Sequence, residues 1–139
     1  MSKDTTLGYD DVMFSEEDPS HDFYRLDSKL TARERALRER VSEWVAREFM
    51  PSVPKYWEAG DLPRSIAAEL GALGVFGSSI DGFGGESLSA RATGIIMREL
   101  ERGDSGLRTF ASVQSSLAMN ALSFFGSEVQ KSQWLPEMR

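Results

Sequence analysis

The chain has 139 residues and a formal net charge of −6. This length suits a single domain, and 40% hydrophobic with 27% charged residues is typical of a globular protein. The acidic balance argues against nucleic-acid binding and gives no reason to expect binding to an anionic membrane, because both need a basic face. The absence of cysteine excludes disulfides and thiolate chemistry in this chain.

The first 29 residues are predicted to form an acidic arm. They are polar and aperiodic up to the first helix signal, so we divide the chain into an arm, residues 1–29, and a helical domain, residues 30–139. His21 is the sole histidine, and one histidine supports neither a Ser-His-Asp triad nor a metal site. The N-terminal residues show no apolar or Arg-rich targeting stretch, so we expect a cytoplasmic protein without a membrane span.

Apolar periodicity predicts an all-α fold, a compact bundle of about five helices with short connections. We place the helices at about residues 31–49, 61–73, 86–102, 104–125 and 127–135, with Ser87 or Ser89 as the cap of the third. Thr31 with Glu34 and Ser127 with Gln130 match the capping box, which marks a helix start.

Proline and glycine residues mark the predicted ends of the helices and the connectors between them. Pro51 and Pro54 are expected to end the first helix, and Pro136 is expected to end the last. The glycine-rich stretch 74–85 lacks the Gly-Lys-Ser/Thr of a phosphate-binding loop and follows no strand. We therefore interpret it as a connector that needs positive φ angles at several positions.

The stretch 109–127 contains 19 residues without one charge. Its helical spacing predicts one buried apolar face, formed by Leu107, Phe110, Ala111, Leu117, Ala118, Ala121, Leu122 and Phe125. The other face is small and uncharged, and consists of Ser112, Ser115, Ser116, Met119 and Ser123. A surface helix normally carries Lys and Glu there, so we expect this helix to be covered on both sides, by other helices or by a ligand.

Arg108 is the cation at the start of this helix, behind the expected N-cap Asp104. The helix dipole disfavours a cation there by up to about 1 kcal/mol. In one interpretation, which spacing alone favours, Asp104 compensates through an i,i+4 pair. In the other, Arg108 points into a pocket beside the serine face and binds a carboxylate, because a planar guanidinium grips both oxygens. We interpret Glu99 and Glu101 as surface salt-bridge partners without a catalytic role.

The run MRELERGDSGLRTFASVQSSLAMNALSFFGSEVQKSQWLPEM, residues 97–138, resembles the acyl-CoA dehydrogenase family. Within that family, RELER-DSG-R, SVQSSL and the closing GSE-Q and LP are most similar to the glutaryl-CoA dehydrogenases. The likeness is specific from Met97 to Pro136 and weaker back to about Asp22.

The resemblance implies a flavin enzyme, with FAD as cofactor, that removes two hydrogens from the Cα–Cβ bond of an acyl-CoA. For glutaryl-CoA it implies loss of CO2 afterwards, giving crotonyl-CoA. It further implies that Arg108 and Thr109 bind the substrate's far carboxylate and that Ser112, Ser115 and Ser116 line the pocket. Thr109 stands where the family usually has serine, which adds a methyl group to that contact. An electron-transfer protein as acceptor and a homo-oligomer are implied as well.

The resemblance covers the first of three family domains. The β-domain that holds much of the flavin and the C-terminal helical domain with the glutamate base have no counterpart in these residues. We therefore assign no catalytic residue here and expect the 139 residues alone to be inactive. Two alternatives stay open: an acyl-CoA dehydrogenase of other chain preference, or a stand-alone helical module that binds a partner protein and does no chemistry.

Overall fold

The fold, taken from a computed structural model, is described for residues 22–85 and 87–139. Its α-helices are α1 (Ala32–Trp44), α2 (Val53–Ala59), α3 (Ser65–Leu73), α4 (Ala90–Gly103), α5 (Ser105–Ser112), α6 (Asn120–Phe125) and α7 (Glu128–Met138). Within the described residues, the extended pairing is limited to one isolated bridge between Gly82 and Gly85. The all-α prediction is therefore confirmed. His21 and most of the predicted arm lie outside the described residues, and the division at residue 29 stays a prediction.

The first predicted helix is longer and less regular than its prolines indicated. After Trp44 the chain continues through a π-helix, Val45–Phe49, and a 3-10 helix, Met50–Ser52, into α2. Pro51 and Pro54 each lie in the first turn of a new helical segment, where the missing N–H removes no hydrogen bond. The prediction that they end the helical run was wrong, and α2 was missed.

The core lies between α1, α3, α4 and the central helix, which we define as residues 105–125. Helix α1 and the π-helix that follows it contribute every fourth residue, Leu37, Val41, Val45 and Phe49, while Trp44 is only half-buried. The main cluster of buried apolar side chains consists of Leu37, Val41, Val45, Phe49, Ile66, Leu70, Val75, Phe76, Ile80, Ile96, Leu100, Leu107, Ala111, Met119 and Leu135. These contacts fix the start of the central helix, where Arg108 lies.

The central helix runs without interruption through α5, a π-helix (Val113–Met119) and α6. A π-turn holds more residues than an α-turn, so the buried positions recur every fourth residue, at Leu107, Ala111, Ser115 and Met119. Of the predicted apolar face, Leu107 and Ala111 are buried and Leu122 packs half-buried against the core, but the other predicted members are exposed. Ser115 and Met119 are 3% and 0% exposed, whereas Leu117 is 66% exposed.

The ends of the later helices also differ from prediction. Helix α4 begins at Ala90, because Ser89 is its N-cap and accepts a hydrogen bond from the backbone N–H of Ala92. Helix α7 begins at the predicted capping box but continues past Pro136 to Met138. A proline in the last turn removes one hydrogen bond without stopping the helix there.

Helix α7 packs against the core through few of its apolar side chains. Leu135 is fully buried, whereas Val129 and Trp134 are 75% and 51% exposed. Helix α7 thus contacts the core through its last turns.

Candidate substrate-binding site

Asp104 separates α4 from α5 and caps the central helix. Its backbone is extended, and its Oδ1 accepts hydrogen bonds from the N–H groups of Gly106 at 2.7 Å and Leu107 at 3.3 Å. Its Oδ2 accepts a third bond from the indole Nε1 of Trp57 at 2.9 Å. The predicted N-cap is confirmed, and both carboxylate oxygens are engaged by donors other than Arg108.

Arg108 pairs with Glu101, which lies seven residues earlier in the last turn of α4. The Nε of Arg108 donates to Oε2 of Glu101 at 2.6 Å, and the two side chains are 38% and 48% exposed. The expected i,i+4 pair with Asp104 was therefore wrong. Sequence spacing did not reveal the Glu101 pair, because the break at Asp104 changes the direction of the chain between the two helices.

The pair with Glu101 uses only the Nε of the Arg108 guanidinium. Glu101 takes the Nε–H, and in the described part of the chain no hydrogen bond engages the Nη1 and Nη2 groups of Arg108. Two parallel N–H donors in this arrangement match the two oxygens of a carboxylate. The pair with Glu101 thus holds the side chain through its Nε–H and leaves the Nη1 and Nη2 donors unengaged by the described residues.

The hydroxyl groups near Arg108 fall into two groups. Thr109 and Ser116 are exposed and Ser112 is half-buried; Ser112 and Ser116 follow Arg108 at intervals of four residues. Ser115 is buried, and its Oγ accepts a hydrogen bond from the backbone N–H of Gly77 at 3.3 Å. Ser115 thereby holds the glycine-rich loop against the central helix. The roles of all four hydroxyl groups toward a substrate stay predictions.

One side of the uncharged helix is open among the described residues. Val113 and Leu117 are 48% and 66% exposed, and Phe124 and Phe125 are 74% and 89% exposed. We expected both sides of this helix to be covered. Within the described residues, the side that faces the core is covered and the other side is not. An uncharged face with exposed aromatic residues is typical of a surface that contacts another molecule or domain.

A cluster of charged side chains lies in the last turns of α4. Glu99 is 5% exposed, and its carboxylate accepts hydrogen bonds from Arg98 at 3.1 Å and Arg102 at 3.2 Å. Burial alone raises the pKa of Glu99, but hydrogen bonds from Arg98, Ser42 and Arg102 outweigh it and hold that pKa below its usual value. Glu99 is therefore a buried anion, and its interpretation as a surface residue was wrong.

Glu34 joins the starts of two helices. Its Oε2 accepts bonds from the N–H and the hydroxyl of Thr31, both at 2.9 Å, and its Oε1 accepts from the N–H of Ser89 at 3.1 Å. These bonds, above all the one from the Thr31 backbone, lower the pKa of Glu34 to about 2. The capping box was predicted, but the bond to Ser89, 55 residues away, was not.

The glycine-rich loop has the backbone of a connector. Gly74, Gly77, Gly82 and Gly84 have positive φ angles, as predicted. The carbonyl oxygens of Gly77, Ile80 and Gly82 point to the guanidinium of Arg139, at 3.2, 2.7 and 3.1 Å. A phosphate cradle needs converging N–H groups instead. This loop therefore does not fit the phosphates of a flavin dinucleotide.

Residues 22–85 and 87–139 form neither a metal site nor a membrane-spanning helix. No group of three or more His, Cys, Asp or Glu side chains there is placed to hold a metal ion. None of the helices in these ranges is long and apolar enough to cross a bilayer.

Comparison with known families identifies the class of protein. Residues 31–139 match the family described as acyl-CoA dehydrogenase, N-terminal domain. The chain belongs to the acyl-CoA dehydrogenase family, and its helical bundle is the N-terminal domain of that family.

Individual relatives narrow the comparison. The chain is similar to two structures of glutaryl-CoA dehydrogenase from Mycobacterium smegmatis: one with 47% identity and a TM-score of 0.75, covering 81% of this chain and 29% of that one. The other, in complex with FADH2, has 39% identity and a TM-score of 0.77, and the match covers 83% and 30% of the two chains.

Curated relatives are more distant in sequence. The mitochondrial short/branched chain specific acyl-CoA dehydrogenase of Bos taurus is 25% identical over 109 residues, which cover 78% of this chain and 25% of the relative. The (2S)-methylsuccinyl-CoA dehydrogenase of Cereibacter sphaeroides is 33% identical over 85 residues, covering 59% and 15%. The chain thus spans less than a third of the length of each of these relatives.

Proposed function

We propose that the protein is the N-terminal part of an FAD-dependent acyl-CoA dehydrogenase that, when complete, oxidises glutaryl-CoA and decarboxylates the product to crotonyl-CoA. The observation that carries the substrate class is the guanidinium of Arg108, held by Glu101 with its fork unengaged among the described residues. The likeness to two glutaryl-CoA dehydrogenase structures supports the same substrate.

Arg108 suits the far end of a dicarboxylic acyl group. Glutaryl-CoA carries a carboxylate at the end of its acyl chain, and the helix surface that follows Arg108 is uncharged through Ser127. A carboxylate placed there therefore has Arg108 as its counter-charge on this helix, with the hydroxyls of Thr109 and Ser112 nearby as further donors. The partial burial of Arg108 makes such a pair stronger than one in open water.

The remaining parts of the enzyme are proposed to come from regions without a counterpart in these residues. We assign the glutamate base and most of the FAD site to such regions, and we expect the 139 residues alone to be inactive. An electron-transfer protein as electron acceptor, a homo-oligomeric assembly and a cytoplasmic location complete the proposal.

The main alternative is an acyl-CoA dehydrogenase with another acyl-chain preference. This alternative is supported by the similarity to dehydrogenases that are named for short or branched chains and for (2S)-methylsuccinyl-CoA. Methylsuccinyl-CoA also carries a free carboxylate at the far end of its acyl group, so an arginine at position 108 is compatible with that substrate class too. A stand-alone interaction module that does no chemistry is less well supported, because residues 31–139 match one domain of an enzyme family and span less than a third of the similar structures.

The test is a comparison of substrates in the complete enzyme. Arg108→Ala should lower kcat/KM for glutaryl-CoA by roughly 100-fold, about 3 kcal/mol, because a charge-assisted bidentate contact is lost. It should change kcat/KM for butyryl-CoA, which has no far carboxylate, by less than about threefold. Arg47→Ala, which removes an exposed arginine on the π-helix after α1, is the matched control and should leave both substrates unchanged. An equal loss on both substrates would refute the carboxylate role.

A further inference from the structure

A cavity lies where the end of α2 meets the start of α5. Its volume is about 290 Å³, which equals the liquid volume of roughly ten water molecules. Its lining residues are Phe49, Val53, Tyr56, Trp57, Gly60, Asp61, Leu62, Asp104, Gly106 and Leu107. Arg108 is absent from this lining, so the cavity is distinct from the proposed carboxylate site.

The walls of this cavity are aromatic and aliphatic. Phe49 and Tyr56 pack with their ring centroids 5.8 Å apart. Trp57 is 73% exposed, yet its indole N–H is bonded to Asp104 at 2.9 Å. Holding an exposed tryptophan in one orientation costs side-chain entropy and buries little apolar surface. A fixed, open indole face is the kind of surface on which a flat ligand stacks.

The charges that line the cavity are both negative. Among the described lining residues, Asp61 and Asp104 are the ionisable acids, and no Lys, Arg or His is present. Asp104 is engaged by three N–H donors, and two of these belong to the first turn of α5, so it offsets the positive end of that helix dipole. The Asp61 carboxylate makes no hydrogen bond or ion pair with the described residues and is available to a ligand.

We propose that this cavity binds a small organic cation with a flat or apolar body, of the arylamidinium or alkylguanidinium class. Its charge meets Asp61, and its body lies against the rings of Tyr56 and Trp57, where cation–π attraction adds to apolar contact. An anion would meet two carboxylates with no positively charged side chain in the described lining, and a neutral ligand would gain no charge pair with Asp61. This proposal is independent of the reaction that the complete enzyme performs.

The test uses two probes of the same shape, benzamidinium and the neutral benzamide. Each is titrated into the protein that carries this chain, and the indole N–H resonance of Trp57, assigned with Trp57→Phe, is followed by NMR. Benzamidinium should give a saturable shift with a millimolar Kd, and benzamide should bind at least about tenfold more weakly.

Variants of Asp61 separate charge recognition from apolar contact. Asp61→Asn should weaken benzamidinium binding at least about fivefold and leave benzamide unchanged, while Asp61→Glu, which keeps the charge, should retain most of the binding. Asp81→Asn removes an exposed aspartate outside the cavity and should have no effect. Equal binding of the two probes, no effect of Asp61→Asn, or no saturable shift at millimolar concentrations would each overturn the proposal.

Discussion

Replacing Glu34 by Gln tests how the starts of α1 and α4 are held together. The carboxylate accepts three hydrogen bonds, from two donors of Thr31 and from the N–H of Ser89, and the side chain is 8% exposed. Its pKa falls from 4.5 to about 2, a difference that corresponds to at most about 3 kcal/mol. Solvent near the helix start screens part of this, so we expect Glu34→Gln to lower the free energy of unfolding by about 2 kcal/mol at pH 7.

The contribution of Glu34 to the free energy of unfolding depends on pH. Because the folded-state pKa of Glu34 is depressed, its contribution is fully present above about pH 4.5 and is lost as the pH falls toward 2. Urea unfolding of wild type and Glu34→Gln at several pH values should show the difference shrinking over that range. Glu39→Gln, at an exposed position on the same helix, should stay within about 0.5 kcal/mol of wild type. A difference between wild type and Glu34→Gln that stays constant from pH 7 to pH 2 would refute the reasoning.

Two further predictions concern the central helix. Met119→Ala removes a fully buried side chain and should lower the free energy of unfolding by about 2–5 kcal/mol, whereas Leu117→Ala, at a position 66% exposed, should cost less than about 1 kcal/mol. Equal losses in thermal or urea unfolding would contradict the π-helical register. Glu101→Gln weakens the contact that holds Arg108, so in the complete enzyme it should raise KM for glutaryl-CoA about three- to tenfold and leave butyryl-CoA unchanged. A similar change in KM for both substrates would argue against that positioning role.

Local signals in the sequence predicted the caps of three helices and the glycine turn after α3. Thr31, Asp104 and Ser127 cap their helices as expected, and Gly74 ends α3 with a φ of 79°. Each of these features depends on hydrogen bonds within three or four residues, so residue type and spacing are sufficient to predict it.

The errors arise where distant residues or an unusual turn decide the outcome. The π-turn at Val113–Met119 shifts the buried stripe by about one residue, and nothing in an apolar pattern with period 3.6 marks that shift. The bond from Ser89 to Glu34 joins residues 55 positions apart, and it forms only when α1 and α4 are packed. The choice of Glu101 over Asp104 as the partner of Arg108 likewise depends on the angle at the α4–α5 break.

The most direct test of the proposed function is the response of the protein, isolated from its own source in its native length, to acyl-CoA substrates. We predict that it contains FAD and that glutaryl-CoA bleaches the visible absorbance of this flavin far faster than butyryl-CoA does, with release of CO2 on turnover. A native protein that carries these residues but binds no flavin, or whose flavin no acyl-CoA reduces, would contradict the account.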